Sequence, residues 1–381
     1  MNIAVYVPWI YQKGGIERVL IEYSKRTKHK LTFFTNHYSE NTTFPEFKKL
    51  KIIQLEEVPI NRNYFDLARV SLQLMNQKIP LDEFNALMII SSGFGEFVAI
   101  NNHSIPIICY CCTPLKVIHD EKTREKYIGT NKAKKILFQF FEKIYRHYEK
   151  TAWKNIDFVI SISEETKKRL EKANLIHEKS TEVINPGIDY NKIKPNWKYN
   201  KYFFVPGRFI WHKNFELAIE AFKEFSKENS EFELIIAGGL DKKNQQYLNK
   251  LKQRSKGFKI KFVTSPTDSE FFKLYKESYC VLFTAINEDF GIVPLEAMAY
   301  GKAVISVNEG GPKETIVDGK TGYLVEKKPN EFAQKMLLLS KDSNLNKKLG
   351  KEARKHVKKY DWKKITFKID KKIESQVYKH K

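Results

Sequence analysis

Short apolar runs alternate with longer amphipathic stretches along the whole chain, and that alternation restricts the fold more than any single residue does. Runs at 3–7, 31–35, 86–91, 106–111 and 157–162 read as buried strands. The segments between them are long enough for the crossover helices that parallel strands require. The longest helical stretch is 131–153, where Ile136, Phe140, Ile144 and Tyr148 recur at i, i+4 spacing. The pattern breaks into turn residues from Asn185-Pro186-Gly187 to Lys194-Pro195, then into polar residues from Asn196 to Lys201. A second series follows, with strands at 202–206, 232–237, 259–263, 279–284 and 302–306, and helices at 213–228, 241–256, 267–277 and 291–299. Two Rossmann-like α/β domains are predicted, 1–195 and 196–360, with a basic C-terminal helix, 361–381, packing back on the N-terminal domain. Two such halves make a cleft, where open parallel sheets take their ligands.

The 381 residues suit two domains of ordinary size, and 42% hydrophobic with 13% aromatic content excludes a disordered chain. Lys+Arg 67 against Asp+Glu 45 leaves a net charge of +22, which favours anionic partners such as nucleic acid, an acidic membrane or phosphorylated substrates. A generally Lys-rich composition accounts for it equally well, since the lysines are spread along the chain. Cys109, Cys111 and Cys112 crowd one strand end and form neither a disulfide framework nor a zinc pattern. A reducing cytoplasm is the expected compartment. Met1 to Val7 reads as a first strand rather than a signal peptide, and no apolar run approaches the roughly 18–20 residues of a membrane-spanning helix. The expected protein is soluble or attached to the cytoplasmic face of a membrane.

Chemistry concentrates in Asn287-Glu288-Asp289-Phe290-Gly291-Ile292-Val293-Pro294-Leu295-Glu296-Ala297-Met298-Ala299-Tyr300-Gly301. This stretch follows a buried strand and opens a helix that Gly301 closes. Glu288 falls in the loop and Glu296 about two turns into the helix. Between them, backbone N–H groups near Phe290, Gly291 and Ile292 form a helix start suited to anions, and Gly291 permits close approach. A diphosphate there, with carboxylates accepting from sugar and ribose hydroxyls, describes a nucleotide sugar. A second element, Pro206-Gly207-Arg208-Phe209-Ile210-Trp211-His212-Lys213-Asn214, leaves the same end of the sheet. Arg208 and Lys213 there can neutralise a departing diphosphate. Thr264 to Thr267 follow another strand at that end and are placed to line the base.

Together these motifs resemble the retaining GT-B glycosyltransferases of family 4, which carry a Gly-Arg…Lys pair and a Glu-x7-Glu motif in the C-terminal domain. The resemblance covers nearly the whole chain. It implies that Arg208 and Lys213 hold the donor phosphates, Glu288 contacts the hexose, Glu296 contacts the ribose, and Phe290, Gly291 and Ile292 offer N–H groups. The form Glu-Asp-Phe-Gly-Ile-Val-Pro-Leu-Glu-Ala-Met is closest to mannosyltransferase members, which implies GDP-mannose as donor, with a UDP-sugar as the alternative. No cofactor or Asp-x-Asp metal motif is expected. Gly14-Gly15-Ile16-Glu17-Arg18 corresponds to the family's cleft loop near acceptor and diphosphate. Cys111-Cys112-Thr113-Pro114-Leu115-Lys116-Val117-Ile118-His119-Asp120 resembles a His-Thr-Pro-x-Arg-x-x-Trp-Asp stretch. Here Cys112 replaces the His, Lys116 the Arg and His119 the Trp. A thiol is a poor substitute for an imidazole base or donor, whereas a role through the backbone carbonyl tolerates the change. The carbonyl role is the one expected for Cys112, with Gly14, Gly15, Lys116 and His119 on the acceptor side.

The acceptor is expected to be a saccharide or lipid-linked sugar. Residues 122–154 mix Lys and Arg with Ile136, Leu137, Phe140, Phe141, Ile144 and Tyr145. That pattern fits a helix on an anionic membrane or a bundle helix with a solvated basic side. Nucleic acid is not an expected partner, because clustered stacking aromatics are missing. A nucleic-acid-binding protein or a non-catalytic scaffold on the same fold is the alternative from another class.

Overall fold

The computed structural model describes residues 1–60, 64–129, 131–177 and 180–380. The chain divides into two units, Met1–Pro186 with Trp362–Lys381, and Gly187–Asp361. In the first unit the apolar runs become β1 (Asn2–Tyr6), β2 (Lys30–Thr35), β3 (Ile52–Gln54), β4 (Ala86–Ser91), β5 (Ile107–Cys111), β6 (Phe158–Ser161) and β7 (Thr181–Val183). They form one parallel sheet ordered β3-β2-β1-β4-β5-β6-β7. Every residue of β4, β5 and β6 is buried, as parallel strands covered on both faces must be. The helices are α1 (Gly15–Ser24), α2 (Tyr64–Asn76), α3 (Lys116–His119), α4 (Glu121–Ile128), α5 (Lys132–Lys154) and α6 (Glu164–Lys172). Ser163 caps α6, its hydroxyl accepting from the Thr166 N–H at 2.9 Å.

The helix expected at 131–153 is α5, but its recurring apolar residues do not face the core. Ile136 is 68% and Phe140 66% exposed, while Phe138, Phe141, Tyr145 and Ala152 are buried. The helix carries two apolar stripes, and only one of them packs into the core.

The second unit contains β8 (Tyr202–Pro206), β9 (Glu233–Gly238), β10 (Ile260–Thr264), β11 (Cys280–Phe283), β12 (Val304–Val307) and β13 (Gly322–Val325). They too are parallel, in the order β10-β9-β8-β11-β12-β13. Strand order reverses between β8 and β11, the switch point at which open α/β sheets bind ligands. Helices α7 (Phe215–Ser226), α8 (Gln245–Arg254), α9 (Asp268–Glu277), α10 (Ile292–Ala299), α11 (Pro312–Thr315), α12 (Pro329–Lys341) and α13 (Ser343–Val357) surround the sheet. Phe203 anchors the core, its ring 5.0 Å from Phe225 and 5.2 Å from Phe232.

Two junctions are set by polar contacts. Residues 187–195 join the second unit: Ile188 bridges Asp361, and Arg354 donates to the Tyr190 carbonyl at 2.9 Å while its guanidinium stacks 3.6 Å from that ring. The division therefore falls at Pro186 rather than Pro195. The last helix, α14 (Trp362–His380), belongs to the first unit. Its buried Asp370 accepts from the Tyr23 hydroxyl (2.9 Å), the Thr27 hydroxyl (2.7 Å) and the Lys28 N–H (3.2 Å).

Candidate active site

Two loops leave the C-terminal ends of β8 and β11 on either side of the switch point. The backbone ties them together: the Ile286 N–H donates to the His212 carbonyl at 2.9 Å, and the Thr284 hydroxyl donates to the Lys213 carbonyl at 2.9 Å. That brings the Lys213 ammonium to 2.7 Å from Glu288 Oε2, with side chains only 17% and 23% exposed. Asn214 and Asn287, next to the two charged residues, have left-handed φ of 50° and 56°. Such backbone is costly for a side-chain-bearing residue and is tolerated where a bend aims a neighbour.

A third loop, after β12, fixes the Glu288 segment from behind. The Gly311 N–H donates to the Glu288 carbonyl at 3.0 Å, and Glu309 Oε1 accepts from the Asn287 N–H at 3.1 Å. A Cβ on Gly311 would lie 2.2 Å from the Phe290 Cα, so only glycine fits. Glu309, Gly310 and Gly311 carry no recognisable motif in the sequence. A Gly-Gly pair reads as an ordinary turn until the fold places it against Phe290.

Helix α10 starts at Gly291, whose φ of 81° turns the chain, and no side chain caps this end. Its first N–H groups, Ile292 included, are those a negatively charged ligand satisfies. Phe290 is buried, packing 6.1 Å from the Tyr360 ring. Glu296 Oε2 accepts from the Tyr275 hydroxyl at 2.8 Å. Burial, then the Glu296 charge, pushes the Tyr275 phenol well above its ordinary value, so it stays a donor that orients this carboxylate. Arg208 is exposed at the same end of the sheet, and Thr264 is the exposed last residue of β10. Thr267 is committed elsewhere, forming a capping box with Glu270 at the start of α9. Lys213 and Glu288 thus meet beside Phe290, Gly291 and Ile292, with Glu296 oriented about one turn further along α10.

In the first unit, Gly14 precedes α1 and Gly15 is its first residue. Cys112 follows β5; its N–H donates to the Ser91 carbonyl at 2.8 Å, and its carbonyl accepts from the Thr166 hydroxyl at 3.2 Å. Lys116 and His119 begin and end α3. His119 was expected on the acceptor side, but its imidazole is buried. Nε2 lies 2.8 and 2.9 Å from the two oxygens of buried Glu149, and Arg146 approaches Nδ1 at 3.3 Å. The imidazole is thus engaged as a hydrogen-bonding group with Glu149 and Arg146. Nearby, Glu96 is fully buried, accepts from the Ser91 hydroxyl, and has its carboxyl pushed up to about 7 by burial and then by the Glu149 charge. Neither glutamate is distinguishable in the sequence from a surface one.

Residues 189–356 match the family described as Glycosyl transferases group 1, and residues 13–192 match Glycosyltransferase Family 4. The chain is a family 4 glycosyltransferase. This glycosyltransferase is 26% identical over 403 residues to alpha-1,3/1,6-mannosyltransferase ALG2 of Dictyostelium discoideum, covering 94% of each chain. It is 36% identical over 163 residues to human ALG2, covering 40% of this chain and 39% of the human one. Its fold is GT-B: Anabaena HepE, crystallised with UDP, superposes with a TM-score of 0.74 at 16% identity, covering 98% of this chain and 100% of HepE. Among the described residues, no helix is long and apolar enough to cross a membrane.

Proposed function

We propose that this glycosyltransferase moves a mannosyl residue from GDP-mannose to a lipid-linked saccharide, with retention at the anomeric carbon and without a metal ion. The observation that carries the donor reading is the Lys213–Glu288 pair, held at the switch point beside the uncapped start of α10. The choice of mannose rests on the kinship with a mannosyltransferase over 94% of the chain. Lys213 and Arg208 stabilise the negative charge that develops on the departing diphosphate, and the N–H groups of Gly291 and Ile292 add donors that need no reorganisation. Glu288 accepts from mannose hydroxyls and Glu296, oriented by Tyr275, from the ribose. The bond from the anomeric carbon to the β-phosphate oxygen breaks, and its electron pair leaves with GDP. The acceptor oxygen bonds to that carbon on the same face and gives its proton to the departing phosphate. Gly14, Gly15, Lys116 and the Cys112 carbonyl serve the acceptor side. Cys109, Cys111, Cys112 and Cys280 are not joined in disulfides, which suits a reducing, cytoplasmic setting.

The test is thermal stabilisation and slow sugar release in the presence of a chelator, with GDP-mannose, GDP, UDP-glucose and UDP-N-acetylglucosamine. GDP and GDP-mannose are expected to raise the melting temperature, with mannose released only from the latter. Stabilisation by UDP-sugars alone replaces the donor, and no response to any nucleotide refutes the reading.

A further inference from the structure

We propose that Lys302 and Arg354 are positioning residues for donor binding, holding the carboxy-terminal end of α10 so that its open start stays fixed. Their role rests on the donor reading, and neither residue lies in the loops assigned to the nucleotide. The two ends of α10 differ. No side chain caps its start. Its far end is satisfied group by group: the Tyr300, Gly301 and Lys302 N–H groups donate to the Glu296, Met298 and Ala297 carbonyls at 3.1, 2.9 and 3.0 Å. Gly301 makes this turn at a left-handed φ of 77°. Arg354 donates to the Ala299 carbonyl at 2.6 Å, and the Asn196 N–H to the Tyr300 carbonyl at 3.1 Å.

The two cations fasten this end to the opening segment of the second unit. Lys302 is fully buried; its Nζ donates to the Asn196 and Lys198 carbonyls, both at 2.9 Å, and lies 4.0 Å from the Tyr199 ring. Arg354 makes the same kind of contact with Tyr190, donating to its carbonyl at 2.9 Å and stacking 3.6 Å from its ring. Trp197 closes over Gly301, where a Cβ would come within 2.6 Å of the indole. Burial pushes the Lys302 ammonium from 10.5 down to about 7, opposed in part by Glu277. A cation held so costs stability that an apolar side chain would not, so space-filling does not account for it. What it secures is geometry. With eight residues α10 is about two turns long, so a shift at one end moves the other, Glu296 included. A helix start in place for only a fraction of the time binds its ligand more weakly by that fraction.

The full chain is titrated with GDP by calorimetry, and sugar release from GDP-mannose is followed at steady state, for wild type, Lys302→Met, Arg354→Met and Arg354→Lys. Lys302→Met is expected to bind GDP about threefold to tenfold more weakly and to raise the KM for GDP-mannose by the same factor, with kcat within about twofold. Its melting temperature should be no lower than that of wild type, since the buried charge goes with the two hydrogen bonds. Arg354→Met is expected to act in the same direction, and it carries the test if Lys302→Met fails to fold. Arg354→Lys, which keeps the cation, should fall between Arg354→Met and wild type. A merely structural role would lower the melting temperature and leave affinity and KM unmoved, and that result overturns the proposal. So does wild-type affinity in either folded methionine variant, or a fall in kcat at unchanged KM. GDP that fails to bind wild type overturns the donor reading itself, and this role with it.

Discussion

Replacing Glu96 with Gln is expected to stabilise the first unit at alkaline pH and to do nothing favourable at acid pH. Glu96 is fully buried; the Ser91 hydroxyl donates to it, the Tyr145 hydroxyl lies 3.4 Å away, and the Glu149 charge and the Tyr6 phenol also face it. Its carboxyl is raised from 4.5 to about 7. A group raised in the folded state contributes stability that is fully present below its unfolded value and is lost as pH rises through its folded value. The window is therefore about pH 4.5 to 7. Across it the native state gives up about 3 kcal/mol relative to a carboxyl that never ionises, taking roughly 1.4 kcal/mol per pH unit. Gln removes the ionisation while keeping one carbonyl and the shape. At pH 8 its melting transition should lie roughly 5–10 °C above that of wild type, with the gap closing towards pH 5. Calorimetry from pH 5 to 8 measures this directly. Parallel wild-type and variant curves across that range, or a variant less stable at pH 8 than at pH 5 relative to wild type, would refute the burial argument.

Three substitutions bear on the site. Glu288→Ala should lower transfer by about a hundredfold or more while the protein melts normally, since the residue sits on a loop; steady-state rates and calorimetry check both. Gly311→Ala forces a Cβ into the Phe290 backbone and should cost about 1–3 kcal/mol and most of the activity, read by melting and turnover. Cys112→Ala should change the rate by less than about threefold if the backbone carbonyl carries the role. A folded but inactive Cys112→Ala enzyme would overturn that view.

The central strands were legible because a strand buried on both faces writes itself as an unbroken apolar run. β3 and β7 were not, since their half-exposed residues at the sheet edges leave no such run. α12 had a usable signal in Phe332, Ala333, Met336 and Leu339, spaced for one helix face. α5 shows the opposite failure: the stripe read from the sequence is real, yet it faces outward because a second stripe, through Phe138, Phe141 and Tyr145, is the one that packs. The charged residues that the fold pairs at the switch point, Lys213 and Glu288, lie in local motifs that the sequence exposes, Arg208 to Lys213 and Glu288 to Glu296. Its support was not. Glu309 and Gly311 act through backbone contacts with a loop some twenty residues away, and Asp370 finds Tyr23 across nearly the whole chain. The pairing of His119 with Glu149 was hidden for the same reason, because the two lie on different helices.

The central claim is that the two tied loops after β8 and β11 bind the diphosphate of the donor, and GDP titration calorimetry of Lys213→Ala against wild type tests it most directly. Losing one charge-assisted phosphate contact should weaken GDP binding by about tenfold to a hundredfold, with the fold intact. An unchanged dissociation constant in a folded variant would contradict the account.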